Sequence, residues 1–299
     1  NSKIKKDDRM LLYDSLSKIL FLMQIVQMNT RLDRLSALLE GVAPVFSVIE
    51  TMPQLSASDH TAPQFDPSLV MVINSLASKY QASPDQPIPP RQSLWIGHLS
   101  HWAHLQSKPL AYTREQICIR AQLTGPLGPL LMEEFAEPAD LHTDSNETAL
   151  SVPMTLIQQE VSHPRCGQPA LLKSAGDILF IGILRHLVAN PNPDRLGLLH
   201  ALSDVRIAKA LVAMHQAPHF NWNLAALALE AGMSRTSFAT AFKKAMDKTP
   251  GKYLVTLRLA LARRALDSGK TVKEAARISG YRNPASIARA FKSNVTAKR

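Results

Sequence analysis

Apolar residues change their period twice along this chain. Between Val45 and Leu123 they come in short runs, Val45–Ile49, Leu69–Ile73, Leu94–Ile96 and Ile117–Leu123, separated by polar proline-rich stretches such as Ser83–Arg91. Short runs with turn punctuation predict strands, and so a β-sandwich or barrel. After Gly125-Pro-Leu-Gly-Pro129 the spacing becomes helical and predicts helices over residues 130–136, 147–161 and 169–189. The last places Leu172, Ala175, Ile178, Leu179, Gly182 and Leu187 along one stripe, an apolar face available to a second copy. Asn190-Pro-Asn-Pro-Asp-Arg195 breaks that helix and marks an interdomain linker.

The second change produces a repeat. Residues 224–243 and 271–292 each read as a helix, a tight turn and a second amphipathic helix ending in Phe-Lys. In each copy an alanine, Ala228 or Ala276, stands four residues before a glycine, Gly232 or Gly280, as a close helix crossing with a sharp turn requires. The linking segment from Pro250 to Ser268 carries an apolar stripe, Leu254, Leu257, Leu261 and Ala265, that joins the two units. Tyr253 and Arg258 read as structural parts of that link.

A helical repeat that only packs would fit this pattern, and charge argues against it. Residues 203–299 hold eighteen Lys and Arg against five Asp and Glu, a net of +13, whereas residues 1–202 hold sixteen against nineteen, a net of −3. The whole basic excess of the 299-residue chain thus falls on the helical third, the electrostatic footprint of a polyanion-binding domain.

At this point the chain resembles the AraC/XylS-type transcriptional regulators. The resemblance rests on Leu227-Ala-x-x-Ala-Gly-Met-Ser-Arg235, Phe238-x-x-x-Phe-Lys243, Thr249-Pro-x-x-Tyr-Leu254, Arg258-Leu-x-x-Ala262, Ala276-x-x-x-Gly-Tyr281 and Ala290-Phe-Lys292. Asp247 stands where the family has a glycine, and the chain stops at Arg299, short of the family's closing Ser-Pro-x-x-Tyr-Arg. The order of a small β domain, helices and a basic helical pair is similar to the subgroup with a cupin-like sensor. Thr124–Pro129 and Leu202-x-Asp-x-Arg-Ile-x-x-Ala-Leu211 fit that subgroup. The implied fold is α+β: a cupin-like β-barrel followed by helices, then an all-α domain with two helix-turn-helix units. The implied boundaries are an upstream extension over 1–27, a sensing and dimerisation domain over 28–189, a linker over 190–202 and the DNA-binding domain over 203–299. A fresh start is expected at Met28, opening a capped amphipathic helix to Glu40.

The expected partners are double-stranded DNA, a small-molecule effector, a second copy of the chain and RNA polymerase, and both activation and repression of transcription stay open. Arg235–Lys244 and Pro284–Lys292 are the expected reading helices, entering successive major grooves. With Phe238 and Phe242 inward, Arg235, Thr236, Ala239 and Thr240 project from the first; with Ile287 and Phe291 inward, Arg282, Asn283, Ala285, Ser286 and Arg289 project from the second. Arginine grips guanine O6 and N7 bidentately, which makes Arg289 and Arg235 the favoured base readers. Lys243, Lys244, Lys252 and Lys292 are the expected phosphate contacts.

Other chemistry is thin. His98, His101 and His104 lack the His-x-His and glutamate set of a metal-binding cupin and read as structural, and no cofactor or catalytic residue is expected. Trp95 and Trp102 read as core or pocket wall. Gly269-Lys-Thr271 ends like a phosphate loop, but Arg264 occupies its first glycine position. Cys118 and Cys166 read as reduced cytoplasmic thiols, Cys118 merely buried. Lys3 to Val26 superficially resembles an export signal, yet its apolar run is too short to span a bilayer. A constitutive DNA binder whose barrel only dimerises, and a barrel enzyme, stay open beside the ligand-responsive regulator.

Overall fold

A computed structural model describes residues 33–48, 68–76, 91–98, 117–143 and 148–296. The expected extension over 1–27 and its sequel to residue 32 lie outside them. The described chain opens with α1 (Ser36–Val42) and β1 (Pro44–Val48), followed by β2 (Ser68–Leu76), β3 (Arg91–His98) and β4 (Ile117–Leu123). Helix α2 (Gly128–Glu134), strand β5 (Ala139–Thr143) and helices α3 (Thr148–Ser162) and α4 (Gln168–Ala189) complete this half.

The five strands form one antiparallel sheet in the order β1-β4-β2-β3-β5. Its central strand is buried on both faces, which is why Leu69–Ile73 reads as a continuous apolar run with no alternation. Leu69, Met71 and Ile73, with Leu94, Ile96, Ile119 and Ala121, face the core shared with the helices. Ser68, Val70, Val72, Ser93, Trp95 and Cys118 are buried too, at alternate strand positions and therefore on the opposite face.

Helix α4 supplies most of the cover. Its expected stripe divides: Ala175, Leu179 and Gly182 are buried, whereas Ile178 is 54% exposed. Phe46 on β1 explains the difference, because its ring meets Phe180 edge-on at 5.9 Å and a Cβ on Gly176 would lie 2.6 Å from it. Leu179 is therefore core and not a free face for a second copy.

The carboxy-terminal half comprises α5 (Leu198–Ser203), α6 (Val205–Gln216), α7 (Leu224–Glu230), α8 (Arg235–Met246), α9 (Pro250–Asp267), α10 (Val272–Ser279) and α11 (Pro284–Thr296). The segment read as a linker thus contains a helix, and Leu198, Leu199, Ala201 and Leu202 on it are buried. One apolar core runs from the sheet through α5 and α6 to Phe238, Phe242 and Leu257. A second, separate core of Ala262, Ala265, Ala275, Ala276 and Ile287 holds α10 and α11 to the far end of α9.

His215 on α6 and Tyr253 on α9 tie the first core together through a 2.6 Å hydrogen bond between Nε2 and the phenol. Burial pulls the imidazole down to about 4 from 6.5. The unfolded chain therefore binds more protons than the folded one between those values, and stability falls as pH drops from 6.5 to 4. The shift corresponds to about 3 kcal/mol. Denaturant titrations of the native chain and of His215→Gln, which keeps an acceptor for Tyr253, should show a distinctly shallower loss in the variant across this window. Parallel curves would remove His215 as the cause.

Candidate nucleic-acid interface

Each helix pair is defined by local chemistry. The side chain of Asn223 caps α7 by accepting from the Ala226 amide at 2.9 Å, and Ser234 caps α8 through the Ser237 amide at 3.2 Å. Gly232, at φ 64, makes the turn between them. Phe238 and Phe242 are fully buried, with ring centroids 5.6 Å apart, and fix the rotation of α8. Arg235, Thr236, Thr240, Lys243 and Lys244 consequently stand exposed, with Ala239 half-buried among them.

In the second pair, Thr271 and Glu274 form a reciprocal capping box at the start of α10. Gly269-Lys-Thr271 is therefore a helix-to-helix turn, with Gly269 at φ 80. Gly280 turns the chain at φ 77, and α11 follows with Ile287 buried and Phe291 half-buried. Arg282, Ala285, Arg289 and Lys292 are exposed and Ser286 is half-buried. Asn283 also has a local role. Its Oδ1 accepts from both the amide and the hydroxyl of Ser286, each at 2.9 Å, so it caps α11 and takes the Ser286 hydroxyl with it.

Helix α9 carries both units. Arg258 donates to the carbonyl oxygens of Pro218 and Phe220 at 2.8 and 2.7 Å, fastening the loop before α7, and Arg263 lies over the Phe291 ring at 5.3 Å. Asp247 takes φ 52, the left-handed conformation that favours glycine and that Asp tolerates. A groove of about 840 Å³ runs beside α8 and brings Ala239, Thr240, Lys243 and Lys244 together with Thr249 and Gly251 at the start of α9. Lys252 is exposed in the first turn of α9.

At the sheet, Arg120 is paired in register with Val70, and its Nε donates to Ser68 Oγ at 2.9 Å. That face also holds Trp95 and Cys118, whose thiol burial pushes up to about 12, far from a nucleophile's range. Both cysteines are free. His98 ends β3, while His101, His104 and Trp102 lie outside the described residues. Among the described residues no group of three or more His, Cys, Asp or Glu could hold a metal ion.

The model of a helix-turn-helix domain matches residues 227–297, and that of a cupin matches residues 66–189. The protein is thus a cupin domain followed by a helix-turn-helix domain. An uncharacterized HTH-type transcriptional regulator of Haemophilus influenzae is 32% identical over 156 residues, 52% of each chain. An AraC-like transcription regulator of Streptomyces lividans is 33% identical over 158 residues, 52% of this chain and 50% of the other. The HTH-type transcriptional regulator AlkR of Acinetobacter baylyi is 28% identical over 178 residues, 58% of each. Residues 227–297 are thus similar to the helix-turn-helix domains of transcription regulators, among them AraC-like ones, and residues 66–189 to cupins. The chain spans about half the length of the curated relatives it matches, and those relatives are named as regulators, not enzymes.

Proposed function

We propose that the protein is a sequence-specific, double-stranded-DNA-binding transcription regulator of the cytoplasm, acting as a homodimer under the control of a small-molecule effector, with RNA polymerase as its partner at activated promoters. The observation that carries this reading is the pair of capped helices, α8 and α11, mounted at the two ends of one 18-residue helix with polar, basic faces outward. Residues 28–189 serve as the sensing and dimerising domain and residues 203–299 as the DNA-binding domain, with 190–202 between them. Among the described residues no helix is long and apolar enough to cross a membrane.

The effector is assigned to the sheet face that holds Ser68, Ser93, Trp95 and Arg120, where Arg120 donates to the Ser68 hydroxyl and Trp95 offers an apolar surface. Arg235, Thr236, Ala239 and Thr240 read bases from the first helix, and Arg282, Asn283, Ala285 and Arg289 from the second, the amide nitrogen of Asn283 being the group turned to the base. Ser286 sits at the same edge, its hydroxyl shared with the Asn283 cap. Lys243, Lys244, Lys252 and Lys292 contact phosphates.

The test compares two substitutions on a DNA site selected by the native chain from random sequence. Arg289→Ala should cost about 1–3 kcal/mol on that site and relax preference at one base pair. Lys244→Ala should weaken selected and random DNA alike. Equal losses for both variants on both DNAs would remove Arg289 as a base reader, and failure to select any site would sink the regulator itself.

A further inference from the structure

Between the two domains, α2 ends in adjacent carboxylates, Glu133 and Glu134, and both reach across the junction. Glu134 accepts from the first two amides of α5, Leu198 at 2.5 Å and Leu199 at 3.1 Å, so a side chain from the sensor half caps a helix 64 residues further on. Glu133 pairs with Lys248, just beyond α8, at 2.8 Å. Gly197 donates to the carbonyl of Ala245 on α8 at 3.0 Å, and any Cβ at that glycine would collide with the Glu134 carboxylate. Arg195 completes the seam by donating to the carbonyls of Glu137 and Pro138 at 3.2 and 2.8 Å.

These contacts form a chain of short, directional links. Helix α2 begins five residues after β4, and a Cβ on Gly128 would lie 2.6 Å from the Leu123 carbonyl, so α2 rides on the end of the strand that carries Cys118 and Arg120. Its far end holds α5 and the segment that follows α8. Packing this close transmits displacement because neither the strand end nor the cap has slack to absorb it.

We propose that Glu134, supported by Glu133, is a positioning residue for DNA reading. It fixes α8 relative to the sensor domain, and a shift of β4 and α2 reaches the first reading helix through this clasp. The inference rests on the DNA-binding reading above.

The experiment uses the full chain. Glu134→Gln, Glu133→Lys, Lys248→Glu and the double exchange Glu133→Lys/Lys248→Glu are measured by thermal unfolding, amide hydrogen exchange and fluorescence anisotropy on the selected DNA site over a range of salt. Glu134→Gln should speed exchange at Leu198 and Leu199 and lower DNA affinity about tenfold, with an unchanged salt slope because no phosphate contact is lost. Each single charge reversal should lower affinity about threefold, and the double exchange should restore it to within about twofold, in keeping with a partly exposed ion pair. Faster exchange with native DNA affinity would reduce the clasp to a structural cap and overturn the proposal, as would a double exchange no better than its parents. Should Glu134→Gln fail to fold, the charge exchange at the exposed pair decides alone. Native exchange rates at Leu198 and Leu199 in Glu134→Gln would refute the clasp itself, whereas a native chain that selects no DNA refutes the regulator.

Discussion

Raising the salt from 50 to 200 mM should weaken the proposed dimer on its selected DNA site by about ten-thousandfold. Four exposed lysines per chain, Lys243, Lys244, Lys252 and Lys292, are the phosphate contacts proposed above, and each neutralised phosphate contributes about −0.9 to the slope of log affinity against log salt. Four contacts predict a slope near −3.6 for one chain, hence a loss of about a hundredfold over this range, and two chains square it. The effect belongs to residues 203–299, because the remainder carries a net charge of −3 and repels the backbone. Anisotropy titrations at several salt concentrations check this, and Lys244→Ala should make the slope shallower by about one unit per chain. A native slope no steeper than about −1 would dismiss the phosphate assignments together.

The second large effect separates two glycines that occupy equivalent turns. Gly232 and Gly280 both have positive φ, 64 and 77, but nothing lies within 4 Å of a Cβ built on Gly232, whereas one on Gly280 would be 2.5 Å from the Cα of His219 and 2.8 Å from the Pro218 carbonyl. That carbonyl is itself held by Arg258, so the backbone cannot retreat cheaply. Gly232→Ala should cost only the conformational strain, about 1–2 kcal/mol. Gly280→Ala adds a backbone collision and should cost about 3–5 kcal/mol, in the range of severe core defects. Because α10 and α11 have their own small core, hydrogen exchange should show those two helices opening while the Phe238–Phe242 core stays protected. Equal costs at the two glycines would show that the contact with His219 yields.

The parts that were legible in the sequence are those specified locally. The two helix pairs announce themselves through apolar spacing, a glycine turn and caps such as Thr271 with Glu274, all within a few residues of one another. The central strands are legible because burial on both faces forces continuous apolar runs. Strand β5 was not, since Ala139–Thr143 pairs only with β3 at the sheet edge and needs no such run. Helix α5 was hidden by the asparagines and prolines before it, and its cap comes from Glu134, far away in sequence. The role of Leu179 depended on how α4 rotates against Phe46, which periodicity alone does not set. Asn283 carries a local signal for its capping role, because an Asn-Pro pair at a helix start is a capping signature.

The two unequal cores differ in stability. Helices α10 and α11 are held by four alanines and one isoleucine, with half-buried partners at the margin, so they bury far less apolar surface than the first unit and open at lower free energy. Because α9 carries both units, opening of α10 and α11 would release the contacts proposed for the second unit while the first unit, on its larger core, stays folded.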